Sequence, residues 1–233
     1  MSVYFQVLLL SLIIPLIFSF HPKIKFHKKF DCFLKANIIV LIPFVIWDII
    51  FVKLGVWGFN TNYLQEVFVL NLPIEEILFF VIIPFCCVFT YEVFTSIKIN
   101  IIKNNKLVYL SYLISIFLLV LSIFYRNNLY TSITFLLLSI TLAFIAYNKK
   151  EILKHFFLTY IVITCIPFIV VNGVLTGGTL PEPPVWYNNN EIIGIRIWTI
   201  PIEDFAYSMM LLILNISMYE KFKTNKSHQE NSL

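Results

Sequence analysis

The chain has 233 residues, of which 59% are hydrophobic and 13% charged, and it carries a net charge of +4 at neutral pH. Soluble domains have about 25% charged residues, so this composition excludes an ordinary soluble domain and indicates an integral membrane protein. We expect lipid around most of its surface and no nucleic acid among its partners.

Seven apolar runs follow one another, each near the ~20 residues that a helix needs to cross a bilayer core. They lie at roughly 3–20, 36–52, 73–94, 107–124, 130–147, 155–172 and 201–219. The first run has no basic residue before it and no small-residue cleavage site, so we interpret it as a membrane span. The sequence thus predicts an all-α protein with seven transmembrane helices and a disordered cytoplasmic tail at 221–233.

Basic residues are concentrated in alternate connecting segments. These segments are 21–35, 95–106, 148–154 and the tail. The intervening segments hold only Lys53, Arg126 and Arg196. Because cytoplasmic loops carry an excess of Lys and Arg, the pattern predicts a cytoplasmic-membrane protein with its N-terminus outside and its C-terminus in the cytoplasm.

The third and seventh predicted helices begin with the same motif, a proline followed by two acids. It reads Pro73-Ile74-Glu75-Glu76 and, 128 residues later, Pro201-Ile202-Glu203-Asp204. One copy alone is typical of a helix start, where proline fits the first turn and acids face the positive end of the helix dipole. Two copies with matching surroundings indicate a function, because adjacent carboxylates are costly in a membrane protein.

The residues around the motif are repeated as well. Ile42-Pro43-Phe44 in helix 2 matches Ile166-Pro167-Phe168 in helix 6, which pairs Asp48 with Asn172. In the loops, Val56-Trp57 pairs with Val185-Trp186, and Asn62 pairs with Asn190. Because Asn172 lacks the acid of Asp48, the two halves cannot be equivalent if both positions touch a substrate.

This duplication predicts a 3+1+3 parallel pseudo-repeat about an axis along the membrane normal. Its parts are a first three-helix repeat at 1–94, a linker helix at 95–129 and a second three-helix repeat at 130–220. The axis would bring the two motifs face to face.

The acids and their neighbours suggest a chemistry of proton transfer to an apolar substrate. A carboxyl group that is shielded from water, or lies beside a second one, can stay protonated and act as an acid. Neighbouring carboxylates and aromatic faces can stabilise the cation that forms. The candidates for this second role are Asp48, Asn172, Trp57, Trp186, Asn62 and Asn190. For any one of them, a water-facing helix end or an interfacial aromatic belt is the alternative.

Signatures of other chemistries are missing from the sequence. It contains no Gly-x-Gly-x-x-Gly for a dinucleotide, no His-Glu-x-x-His for zinc and no Asp-x-x-x-Asp for magnesium diphosphate. We therefore predict neither a metal nor a cofactor.

In these motifs the chain resembles the membrane lycopene cyclases, which occur as heterodimers of two small subunits or as one fused chain. Their hallmark is Pro-x-Glu-Glu/Asp in each half, and each half of this chain looks like one subunit. The resemblance implies a redox-neutral, acid-catalysed cyclisation of the ψ-ends of lycopene to β-ionone rings, giving γ-carotene and then β-carotene. It also implies that lycopene arrives from the bilayer and that catalysis is shared among Glu75, Glu76, Glu203 and Asp204.

Two alternatives stay open. The 3+1+3 plan is also that of small-solute transporters, although the acids here cluster at one end and polar groups at mid-depth are sparse. A prenyl-transferring or hydrating enzyme would act on the same polyenes, but the diphosphate-binding aspartates are missing.

Overall fold

The computed structural model describes residues 1–97 and 104–231, with the side chains of 105–227 in the second stretch. Part of the predicted basic segment 95–106 therefore lies outside the described residues.

The described chain is a bundle of helices that correspond to the seven predicted runs. They are α1 (Val3–Phe18), α2 (Phe30–Lys53), α3 (Ile74–Ser96), α4 (Asn104–Phe124), α5 (Leu129–Asn148), α6 (Lys150–Ile163), α7 (Ile169–Leu175) and α8 (Ile202–Asn231). A π-helical turn, Thr164–Phe168, joins α6 to α7, so that these two helices form one apolar span from Lys150 to Leu175.

Five helical stretches of the described residues are long and apolar enough to cross a membrane, and they include α2, α3, α4, α5 and the α6–α7 span. Helix α1 is a shorter apolar helix. The predicted all-α membrane class is confirmed, whereas the 3+1+3 arrangement stays a prediction.

Local sequence explains where the helices that carry the site begin. The side chain of Ser2 caps α1 by accepting a hydrogen bond from the backbone N–H of Phe5 at 3.3 Å. Pro73 immediately precedes α3 and Pro201 immediately precedes α8, so that both acid pairs fall in a first helical turn.

A small hairpin leads into each of these two helices. Strands β2 (Phe68–Val69) and β3 (Leu72–Pro73) precede α3, and β5 (Arg196–Ile197) and β6 (Ile200–Pro201) precede α8. Leu70 and Trp198, at equivalent places in the turns, both have φ of 58°. The two acid pairs are therefore held by loops of the same shape.

The two long loops also pair with each other. Strand β1 (Trp57–Phe59) runs antiparallel to β4 (Val185–Tyr187), with Trp57 opposite Tyr187 and Gly58 opposite Trp186. This pairing ties the first half of the chain to the second directly above the helix ends.

Helix α8 is central, because it packs against α2, α3, α5 and α6, while α4 packs mainly against α5. Helix α8 continues to Asn231, into the segment 221–233 for which disorder stays a prediction. Two lysines of this segment pair with acids of neighbouring helices. Lys223 pairs with buried Glu92 at 3.1 Å, and Lys226 pairs with Asp31 at 2.9 Å.

Candidate active site

A cavity of about 670 Å³ lies between the two halves of the bundle, below the paired loops. Its lining is mostly apolar, and its acidic groups are Asp48, Glu76 and Asp204. Glu76 and Asp204 lie in the first turns of α3 and α8, and Asp48 lies near the end of α2, so all three gather at one end of the cavity. One acid from each Pro-Ile motif thus faces the same space.

Glu76 and Asp48 form a pair of neighbouring carboxyl groups. Both line the same end of the cavity and are close enough to interact, and neighbouring carboxyl groups disfavour each other's negative charge. The hydroxyl of Tyr4 donates a hydrogen bond to Glu76 Oε2, and that of Tyr207 donates to Asp48 Oδ1 at 3.4 Å. Two neighbouring carboxyl groups that are shielded from water can hold one proton between them.

Asp204 has different partners. Tyr130 donates to its Oδ1 at 2.7 Å, while Asn172 and Tyr187 donate to its Oδ2 at 2.8 Å each. Three donors suit a carboxylate anion, whose oxygens only accept hydrogen bonds. Burial raises the pKa of Tyr187 well above its ordinary value, and the charge of Asp204 adds to this shift, so the hydroxyl remains a donor.

Glu76 and Asp204 have different neighbours because one position in an adjacent helix differs between the two halves. Asp48 in α2 places a second carboxyl beside Glu76, whereas Asn172 in α7 places an amide donor beside Asp204. The first half therefore places two carboxyl groups side by side, and the second half surrounds one carboxyl group with hydrogen-bond donors. The two groups are near enough to interact electrostatically.

Aromatic rings form the wall beside these acids. The rings of Trp57 and Tyr130 lie 5.0 Å apart, and Tyr130 stacks on Tyr187 at 5.9 Å. Tyr207 contacts Trp57 edge-on at 6.4 Å. The faces of such rings attract cations, so this wall favours positive charge in the cavity.

The other two motif acids, Glu75 and Glu203, do not line the cavity and are fully buried. Glu75 Oε1 accepts hydrogen bonds from the Ser2 hydroxyl at 2.8 Å and the Gln65 backbone N–H at 2.6 Å. Glu203 Oε1 accepts them from the Thr131 hydroxyl at 2.5 Å and the Ile193 backbone N–H at 2.7 Å.

These contacts anchor the first acid of each motif within the protein. Each one ties the start of its own helix to the loop before it and to the start of another helix, α1 for Glu75 and α5 for Glu203. The loop contacts to Gln65 and Ile193 stand 128 residues apart, as do the motifs.

Among the predicted substrate contacts, Asp48, Asn172 and Trp57 line the cavity, and Trp186, Asn62 and Asn190 do not. Asn62 and Asn190 are exposed, and their backbone N–H groups bond to the side chains of Asn60 and Asn188 at 3.1 Å each. The asparagines of these loops therefore shape the turns.

Trp186 lies away from the cavity because of strand alternation. It is 43% exposed and packs over Gly58, on the face of β4 opposite Val185 and Tyr187. The predicted pairing of Trp57 with Trp186 is one residue out of register with the 128-residue repeat. A shift of one residue in a strand moves a side chain to the other face.

Sequence reasoning missed Tyr4, Tyr130 and Tyr207 as site residues. The first two lie at the starts of α1 and α5, each close to a hydroxyl residue, Ser2 or Thr131, that binds a motif acid. The sequence feature that could have identified these residues is the presence of hydroxyl side chains at the starts of α1 and α5, on the same side of the membrane as the two motifs.

No group of three or more His, Cys, Asp or Glu residues suited to hold a metal ion occurs among residues 1–97 and 104–231.

A family model described as lycopene cyclase matches residues 1–94 and 127–222, which together make up most of the chain. The unmatched stretch between them contains α4. No curated protein and no solved structure matches the chain.

Proposed function

The chain belongs to the lycopene cyclase family, and on this premise we propose that it cyclises the ψ-ends of lycopene to β-ionone rings by acid catalysis. The reaction is an isomerisation in carotenoid biosynthesis that needs neither an oxidant nor a reductant. Its products are γ-carotene, with one ring, and then β-carotene, with two.

One observation supports this chemistry above the others. Two neighbouring carboxyl groups, Asp48 and Glu76, face the same apolar cavity as Asp204, whose carboxyl group accepts three hydrogen bonds. The first supplies an acid and the second supplies a negative charge for a cation, within a cavity that suits a hydrocarbon.

The steps follow from these roles. The Asp48–Glu76 pair donates its proton to the terminal double bond of lycopene and leaves a tertiary carbocation. The C5–C6 double bond attacks this cation, closes the ring and moves the positive charge to C5. Asp204 and the rings of Trp57 and Tyr130 stabilise the charge. Loss of the proton from C6 to a carboxylate of the site gives the β-ring and balances the reaction.

The cavity argues against transport of a small hydrophilic solute. Its acids gather at one end, and its deeper lining is formed by apolar side chains such as Ile83, Phe89 and Leu212. A polar solute would find few hydrogen-bonding partners along that depth.

We also propose the orientation that the basic residues predict, with the acid end of the cavity on the outer side of the cytoplasmic membrane. Lys29, Lys223 and Lys226 lie at the opposite end of the bundle, around Glu92 and Asp31. The recurrence of the motif contacts at 128 residues supports the 3+1+3 arrangement.

Expression in a lycopene-accumulating host tests the proposal. We expect the red pigment to be replaced by yellow-orange cyclic products, identified by chromatography and absorption spectra. A protein that is well expressed in the membrane and leaves lycopene unchanged would contradict the cyclase function.

A one-ringed intermediate should accumulate during the reaction. The acids of both halves build one site, so the two ends of a lycopene molecule cannot react there at once. In a time course with limiting enzyme we expect γ-carotene to rise before β-carotene. Appearance of β-carotene without a γ-carotene phase would contradict a single composite site.

A further inference from the structure

Five residues line the cavity and are also exposed on the outside of the bundle. They are Leu10, Ile14, Ile166, Pro167 and Val170. The exposed fraction rises to 69% for Ile166. The other lining residues of the described chain are buried or half-buried. These five side chains, which we term the portal rim, therefore mark the place where the cavity opens.

The portal rim lies on two helical elements that contact each other only near their outer ends. Leu10 and Ile14 are on α1, and the other three are on the π-helical turn and α7. Helix α1 packs along α3 but contacts α7 sparsely. Its outer residues Tyr4 and Leu8 cluster with Leu175 of α7. The gap between α1 and the α6–α7 span therefore lies farther into the bundle than this contact. There the two elements leave an apolar opening in the side of the bundle.

The helix beside this gap is irregular. Pro167 has no backbone N–H to donate, and the chain around it, Thr164–Phe168, forms a π-helical turn. Such turns displace the backbone sideways and occur often at functional sites. Ile166 and Pro167 thus reach the lipid surface and the cavity together.

The cavity is long as well as open. Its lining on α3 extends from Glu76 to Thr90, which corresponds to about 20 Å of helix. All of its carboxyl groups lie at one end of that length. A linear hydrocarbon that lies along α3 would have one end at the acids and the rest between apolar walls.

We propose that the portal rim surrounds a lateral portal through which one end of a long linear polyene enters from the hydrocarbon core of the bilayer. The inference rests on the proposed function, which supplies the polyene. The polyene inserts end first, its reacting end lies at Asp48, Glu76 and Asp204, and its other end extends toward the lipid through the portal.

The experiment narrows the portal without touching the acids. Ile14→Trp and Ile166→Trp place a large ring on either side of the opening, while Ile140→Trp adds the same ring to the lipid-facing surface of α5, where Ile140 is 57% exposed. Each protein is reconstituted in vesicles that contain lycopene. Two quantities are measured, the initial rate of cyclisation and the lycopene retained per mole of purified protein. Glu76→Gln serves as a variant with an open portal and disabled chemistry.

We expect each portal variant to lower both the initial rate and the retained lycopene by about tenfold, which corresponds to a modest steric cost. Ile140→Trp should match the unchanged protein, Glu76→Gln should retain lycopene, and Ile166→Ala should equal or exceed the unchanged protein in both quantities. Portal variants that cyclise and retain lycopene normally would overturn the portal. If the unchanged protein retained lycopene but formed no ring, and the portal variants retained less lycopene, the result would contradict the cyclase function and leave the portal in place. A protein that takes up no lycopene would contradict both.

Discussion

Replacing Glu76 with Gln is expected to lower the rate of lycopene cyclisation by about 10²–10⁴-fold, the usual contribution of a general acid. The amide cannot share a proton with Asp48, so the pair no longer presents an acid to the cavity. Asp48→Asn should have an effect of similar size, because it removes the other member of the pair. The measurement is the initial rate in vesicles at saturating lycopene.

Asp204→Asn tests the cation-stabilising role in the other half. The change keeps the shape but removes the negative charge, and we expect a loss of about 10²–10³-fold, as for other groups that stabilise charge in a transition state. Glu66→Gln is the matched control, because Glu66 is exposed in the loop before α3. A Glu76→Gln or Asp204→Asn protein with the rate of this control would remove that acid from the chemistry.

Replacing Glu75 or Glu203 with Leu is expected to destabilise the protein and to reduce activity through misplacement of the neighbouring acid. Each Leu leaves a backbone N–H and a hydroxyl without their acceptor, and the cost is about 1–3 kcal/mol for a buried group such as the Thr131 hydroxyl and less for Ser2 and Gln65, which water can reach. We expect a lower midpoint of thermal unfolding in detergent and less enzyme in the membrane.

Glu75→Gln and Glu203→Gln separate this positioning role from a catalytic one. Gln keeps one accepting oxygen for the hydroxyl and the loop N–H, so both variants should retain most of their activity, with a smaller loss of stability than the Leu variants because only the new amide N–H groups lack a partner. The amide takes the place of the second carboxyl oxygen, which has no hydrogen-bond partner within the described residues. If the Gln variants folded normally but lost activity as completely as Glu76→Gln, the first acids would belong to the chemistry.

The duplicated motif was predictable from the sequence. Which acid of each copy lines the cavity was not. Glu75 and Glu76 are neighbours with the same side chain, and no pattern in the sequence ranks one above the other. On a helix, adjacent residues point about 100° apart, so one can face the cavity while the other meets the loop. Which one does so depends on how α3 is rotated against α1 and α2.

The two loop tryptophans also differ in whether they line the cavity. Trp57 and Trp186 each follow a valine in equivalent loops, and both were expected at the site. The register of β1 against β4 places only Trp57 toward the cavity. Tyr4 and Tyr130 reach the acids from helices α1 and α5, and the hydroxyl residues at the starts of these helices were the only sequence signal for them.

By itself the sequence determined the membrane class, the approximate positions of the helices and the two copies of the acid motif. These features follow from composition, apolar run length and local spacing, which the chain carries wherever it folds. Tertiary structure alone decided that Glu76 and Asp204 share one cavity while Glu75 and Glu203 anchor loops, and that the cavity opens between α1 and the α6–α7 span. The physical reason is that helix rotation, strand register and gaps between helices arise from packing among residues far apart in the chain.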